Sequence, residues 1–197
     1  MEFRKIQLTK QNTLTVVYKN SDSDTITMVG ANIVHRDLRK AFRQLIPHLV
    51  LLTEQREGKD MSLGELQRQD GVEDISSIYR RFSVNEVAMS EKELEVAISG
   101  TRILDRGDVV SVDSPKVNVE EDEHYENLSN LALDIENLKY EVKLYVEEKK
   151  WGLKEGTLNF AEAGDPFKDV KPGEVPEADV KGKKKGKKKD KKIDDAA

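Results

Sequence analysis

Leu128-Ser-Asn-Leu-Ala-Leu-Asp-Ile-Glu-Asn-Leu-Lys-Tyr-Glu-Val-Lys-Leu-Tyr145 is the most regular stretch of the chain. Its residues Leu128, Leu131, Ile135, Leu138, Val142 and Tyr145 recur at steps of three, four, three, four and three, which lines one face of an α-helix. The pattern predicts a helix from about Glu120 to Lys150. Glu120 to Glu123 stand at its start and Lys149-Lys150 at its end, as the helix dipole favours, with Gly152 as the stop. A seam of this kind also suits a coiled-coil dimer. Leu133 and Val146 widen it toward a face broad enough to lie on the chain's own sheet.

The residues upstream supply that sheet. Ile6 and Leu8, then Leu14, Val16 and Tyr18, then Ile26 and Met28 alternate with polar neighbours, and the turn formers Gln11-Asn12 and Asn20 to Asp24 separate them. This reads as a three-stranded antiparallel meander. A helix follows over about Arg36 to Arg56, with Leu38, Phe42, Leu45, Leu49 and Leu52 on one face. Pro47 removes a backbone donor within it, so a kink or two shorter helices are expected. Gly58 to Gly71 reads as a loop or a short extra element. Strands resume at about Ile75 to Met89, with Ile78, Arg80, Phe82 and Val84 on one face and Tyr79, Arg81 and Ser83 on the other. Leu94, Val96 and Ile98 form the next strand. Residues 102–104 and 109–112 pair across Asp105-Arg-Gly-Asp108, where glycine supplies the positive φ of a tight turn, and Pro115 ends the sheet. The fold class expected is α+β: an antiparallel sheet of meander, helix, further strands and hairpin, then a long C-terminal amphipathic helix. Three strands, a helix and two more strands is also the order of an oligonucleotide-binding barrel.

Beyond that helix the composition changes. One α+β domain is expected over residues 1–160, an acidic Pro/Gly linker over 161–180 and a disordered lysine-rich tail over 181–197. Residues 1–164 carry 22 basic and 30 acidic side chains, a net charge of −8, whereas 181–197 hold nine lysines and three aspartates, a net charge of +6. A run of like charges without apolar side chains has nothing to offset its ordering entropy and stays unpacked. Such an arm, with Lys183, Lys184, Lys185, Lys187, Lys188 and Lys189 at its centre, condenses on a polyanion such as nucleic acid. It also suits a purely solubilising tail.

Zero cysteines exclude disulfides and thiol chemistry. No apolar run is long enough to cross a bilayer, and the first residues lack an apolar signal core, so a cytoplasmic protein without a membrane partner is expected. Tyr79-Arg80-Arg81 is the best local candidate for nucleic-acid contact, because on a strand Tyr79 and Arg81 point the same way, a stacking ring beside a phosphate-binding guanidinium. The competing reading packs Tyr79 and leaves the arginines as solvated edge groups. Arg36, Lys40 and Arg43 form a basic stripe on the first helix. His35, His48 and His124 have no metal-ligand spacing, and no nucleophile elbow or phosphate loop occurs. No catalytic residue, metal or cofactor is expected, and Arg106-Gly107-Asp108 reads as a hairpin tip.

Residues 35–49, 98–104 and 140–150 (HRDLRKAFRQLIPHL, ISGTRIL and YEVKLYVEEKK) together resemble small, uncharacterised proteins of bacteriophages and prophages, which can lie among DNA-metabolism genes. The resemblance covers most of residues 1–150 and carries no activity or catalytic residue. It implies a phage accessory protein acting in the host bacterial cytoplasm. The function expected is non-enzymatic association with nucleic acid in DNA replication or recombination, through the tail and the Tyr79–Phe82 strand. The alternative is a protein–protein interaction factor, an inhibitor of a host system or an assembly-associated protein. It would use the Leu128–Tyr145 helix or a sheet edge.

Overall fold

A computed structural model of the protein describes residues 1–152, apart from 73, 75, 76 and 123 and the side chain of Lys92. The linker and the lysine tail therefore lie outside the described residues. Strands β1 (Glu2–Leu8), β2 (Thr13–Lys19) and β3 (Thr25–Ile33) form the expected meander. Helices α1 (Arg36–Gln44) and α2 (Ile46–Leu52) follow, divided at Leu45, with Pro47 in the first turn of α2 where its missing donor costs nothing. A 3₁₀ turn at Arg56–Gly58 and α3 (Leu63–Gln67) occupy the glycine-punctuated stretch. Next come the helical turn α4 (Ile78–Arg81), β4 (Phe82–Met89), β5 (Glu95–Ile103), β6 (Val109–Asp113), β7 (Val117–Asn118) and α5 (Leu128–Glu147).

The sheet is wholly antiparallel, in the order β3-β2-β1-β4-β5-β6, with β7 pairing the start of β5. It is an open sheet with β3 and β6 at its edges, so the element order shared with an oligonucleotide-binding barrel does not close into one. Pro115 does not end the sheet; it separates β6 from the short β7. Register shifts decide which side chains face the core. The shift between Val84 and Glu86 turns Val87 and Met89 inward beside Phe82 and Val84, where unbroken alternation would have buried Glu86. A similar shift in β1 buries both Phe3 and Ile6.

The core lies between this face and the helices. Ile6, Leu14, Val16, Val87, Val96 and Ile98 from the sheet meet Leu38, Phe42, Leu49 and Val50 from α1 and α2. Leu131, Ile135, Leu138, Val142 and Tyr145 of α5 complete it. The α5 seam is thus covered by its own domain, and Tyr145 anchors it by donating to the Asn32 carbonyl oxygen at 2.7 Å. Gly30 sits under this ring, and a methyl group there would reach within 2.3 Å of the Tyr145 hydroxyl.

Three expectations about α5 are corrected. Leu133 does not widen the buried stripe, being 69% exposed on the outer side of the helix, whereas Val146 does pack against the core. The helix begins at Leu128, so the acidic run lies ahead of it; the backbone N–H groups of Glu120 and Glu121 instead donate to Asn118 Oδ1. It ends at Glu147, where Lys149 takes the left-handed conformation (φ 56°), rather than at Gly152. Gly152 serves the sheet: its N–H donates to the Ile33 carbonyl beside the Val34–Trp151 bridge, and an added Cβ would meet the Val34 oxygen at 2.5 Å.

Candidate nucleic-acid interface and the polar clusters around it

Tyr79, Arg80 and Arg81 are not on a strand. They form the turn α4, closed by bonds from Arg80 N–H to the Ser77 carbonyl and from Phe82 N–H to the Ile78 carbonyl. Gln69 staples the turn in place, receiving the Ser77 hydroxyl on its carbonyl and the Ile78 N–H on its side chain. The three residues therefore diverge rather than alternate. Tyr79 is buried, at 9% exposure, whereas Arg80 is exposed and Arg81 half-buried.

The Tyr79 ring is covered by the Arg43 guanidinium, 4.6 Å from its centroid, and Arg43 is itself held by Asp70 at 2.7 Å. Burial, reinforced by the Asp70 charge, pushes the phenol up to about 12. The ring is thus neutral and occupied, and it does not offer a base the open platform a strand position implied. This stacking nevertheless joins two features that are distant in sequence. Through Arg43, helix α1, on which Arg36, Arg39 and Lys40 are exposed, meets the turn that also carries the exposed Arg80.

Arg81 points elsewhere. Its Nη1 lies 2.7 Å from Asp105 Oδ1 and 3.3 Å from Glu57 Oε1. Arg102 donates to the same Glu57 oxygen at 2.6 Å and to Gln55 at 2.9 Å, and Arg56 reaches Asp105 at 2.8 Å. Hydrogen bonds from Arg56 and Arg81 hold the Asp105 carboxyl below the usual range. The cluster ties the 3₁₀ turn, α4, β5 and the β5–β6 hairpin together. A groove of about 420 Å³ beside it is lined by Arg56, Arg102, Leu104, Asp105 and Arg106. These arginines already face carboxylates, Arg106 pairing with Asp108, so the cluster is first a structural fastening. Arg102 was legible in principle: it shares the parity of Val96 and Ile98, and a charge on an apolar face announces a buried partner.

A second cluster escaped the sequence reading. His48, fully buried, sits between the Tyr125 hydroxyl (2.6 Å from Nδ1) and Asp134 Oδ2 (3.1 Å from Nε2). An ionised carboxylate only accepts, so in the neutral ring Nε2–H donates to Asp134 and Nδ1 accepts the Tyr125 O–H. The tyrosine's titration is displaced upward by burial and then by the Asp134 charge. Nothing in this trio is an activated nucleophile. It clamps the loop before α5 to α2 and α5. The signal was present, since His48 is the one polar side chain in Ile46–Leu52.

Among the described residues, no group of three His, Asp or Glu side chains is placed to hold a metal ion. Lys183, Lys184, Lys185, Lys187, Lys188 and Lys189 lie outside the described residues. No described helix is long and apolar enough to cross a membrane. Comparison with protein-family models, with curated proteins and with solved structures found no match.

Proposed function

We propose that the protein is a non-enzymatic nucleic-acid-binding accessory protein. The observation that carries this reading is the stacking of Arg43 on Tyr79, which links helix α1, with Arg36, Arg39 and Lys40 exposed, to the turn that carries the exposed Arg80, on a body whose net charge is −8. The lysine run is the second contributor. It supplies charge without direction, raising the local concentration of the body on a phosphate backbone, while α1 and Arg80 supply a fixed spacing of cations. Tyr79 acts by orienting Arg43 rather than by stacking on a base. Arg81 holds the hairpin through Asp105. The resemblance of three segments to phage proteins supports a role in DNA replication or recombination in a bacterial cytoplasm.

The test is fluorescence anisotropy of labelled single- and double-stranded oligonucleotides at low and near-physiological salt. Full-length protein, residues 1–164, and a Lys40→Glu/Arg80→Glu variant of each are compared. The charge reversals are expected to weaken binding about tenfold in both lengths. Removal of the tail is expected to flatten the salt slope by about one unit for each phosphate that its lysines neutralise. Indifference to both changes, or no binding at low salt, overturns the reading.

The protein-interaction alternative loses the surface first expected for it, since the α5 seam is buried. Leu133 and Tyr140 favour a different face: they lie two turns apart on the outer side of α5, 69% and 59% exposed. Leu133→Asp with Tyr140→Ser would abolish capture of a protein partner bound there and leave oligonucleotide affinity unchanged.

A further inference from the structure

The edge strand β6 carries a self-complementary surface. The β5–β6 ladder fixes which of its backbone groups are spent. Leu104 N–H donates to the Asp108 carbonyl and Ser114 N–H to the Ile98 carbonyl, so Asp108, Val110, Val112 and Ser114 face β5. By alternation the N–H and C=O groups of Val109, Ser111 and Asp113 point away from the sheet. Edge strands are usually blocked by lysine, proline or a bulge. Val109-Val-Ser-Val-Asp113 has none of these within its span, and Val109 and Val110 are 63% and 38% exposed. The other edge differs, because Trp151 and Gly152 already meet the end of β3.

We propose that β6 pairs antiparallel with β6 of a second copy of this chain, about a two-fold axis through Ser111. An axis on the central outward-facing residue uses all three outward residues of each strand. Val109 meets Asp113 of the second copy, Ser111 meets Ser111, and Asp113 meets Val109, giving six backbone hydrogen bonds. The same register sets Val110 directly opposite Val112 of the second copy, and the reverse. Four valines then close over the face that carries Gly100 and Arg102. No two like charges oppose each other over residues 109–113. This self-complementarity favours a second copy over an unrelated extended peptide. A five-residue junction is small, so the dimer is weak and forms with rising concentration.

The chain has no cysteine, which makes the register directly testable. In a hydrogen-bonded pair the two Ser111 Cα atoms lie about 5.5 Å apart, within reach of a disulfide. The two Val109 Cα atoms are about 14 Å apart, beyond it. Full-length Ser111→Cys and Val109→Cys proteins are oxidised mildly in about 0.3 M salt, where the charged tail is screened. The wild type and Ser111→Pro are examined by sedimentation over roughly a hundredfold concentration range. Proline at 111 removes only an outward N–H and leaves the β5 ladder intact, and circular dichroism checks that the variant is folded. Expected are a concentration-dependent dimer, at least about a tenfold weaker association for Ser111→Pro, and cross-linking at 111 but not at the equally outward-facing and exposed 109. A wild type that stays monomeric throughout overturns the proposal and leaves the edge to a different occupant. A dimer that survives Ser111→Pro, or cross-links equally at 109, places the junction elsewhere and overturns it as well.

Discussion

At Gly100 the backbone of β5 passes so close to its surroundings that an added Cβ would lie 2.0 Å from the Ser83 carbonyl oxygen and 2.9 Å from Leu49 Cδ2. Backbone cannot yield as a flexible side chain does, so Gly100→Ala is expected to cost about 3 kcal/mol or more, read from denaturant unfolding. A loss under about 1 kcal/mol would mean that the β4 backbone at Ser83 does not approach Gly100 that closely. Asp105 gives a pH signature. Its folded-state pKa is lowered by bonds from Arg56 and then Arg81, so its contribution is full above the unfolded value near 4 and fades as pH falls through the folded value. Asp105→Asn should therefore lower the melting temperature at neutral pH, and that difference should shrink at an acid pH below the folded value. Equal differences at both pH values would remove the ion pairs from any role in stability. The sequence showed each of these side chains without its partner. Tyr79 reads as a ring beside an arginine in the chain, yet the arginine that covers it is Arg43, 36 positions away.

Elements were more legible than the pairings between them, because their signals are local. The break between α1 and α2 follows from Pro47, the hairpin from Asp105-Arg-Gly-Asp108, and the buried face of α5 from its spacing alone. Boundaries failed where a local rule met a competitor. Glu120 to Glu123 look like a helix start, but Asn118 draws the backbone of Glu120 and Glu121 into a turn. Glu120→Lys with Glu121→Lys is accordingly expected to change stability by less than about 0.5 kcal/mol and to leave the helical circular dichroism unchanged. A clear loss of helix would restore those residues to α5. Leu138→Ala, by contrast, empties a fully buried position on the seam and should cost about 2–5 kcal/mol. The start of the predicted fourth strand was misread for a similar reason: Gln69 holds Ile78 to Arg81 in a helical turn, so period-two alternation applies only from Phe82.

At the scale of the described domain, one long-range strand pairing joins the two halves of the sheet. β1 pairs β4, Lys5 opposite Ala88, and this joins the N-terminal meander to the β4–β5–β6 unit through a shared core. With a single core on one sheet face, residues 1–164 should unfold in one transition, with far-UV dichroism and tyrosine fluorescence coinciding. Two separated transitions would divide the meander from the rest. Charge also acts at this scale. The −8 of residues 1–164 opposes approach to a polyanion except where cations gather, so the surface around α1 and Arg80 matters more than the total.

The sequence alone determined the α+β class, the meander, the two short helices around Pro47, the tight hairpin and the buried stripe of α5. All of these arise from side-chain period, turn chemistry and proline sterics acting over a few neighbouring residues. It also determined the division of charge between body and tail. Tertiary structure alone decided that the sheet of the described residues stays open, that β6 is its edge among them, and that Arg43 covers Tyr79. It likewise joined Glu57 to Arg81 and Arg102, and set His48 between Tyr125 and Asp134. The physical reason is common to all of them. Burial, ion pairing and ring stacking act between groups brought together by folding, and their partners lie tens of residues apart in a chain whose local pattern carries no record of that distance.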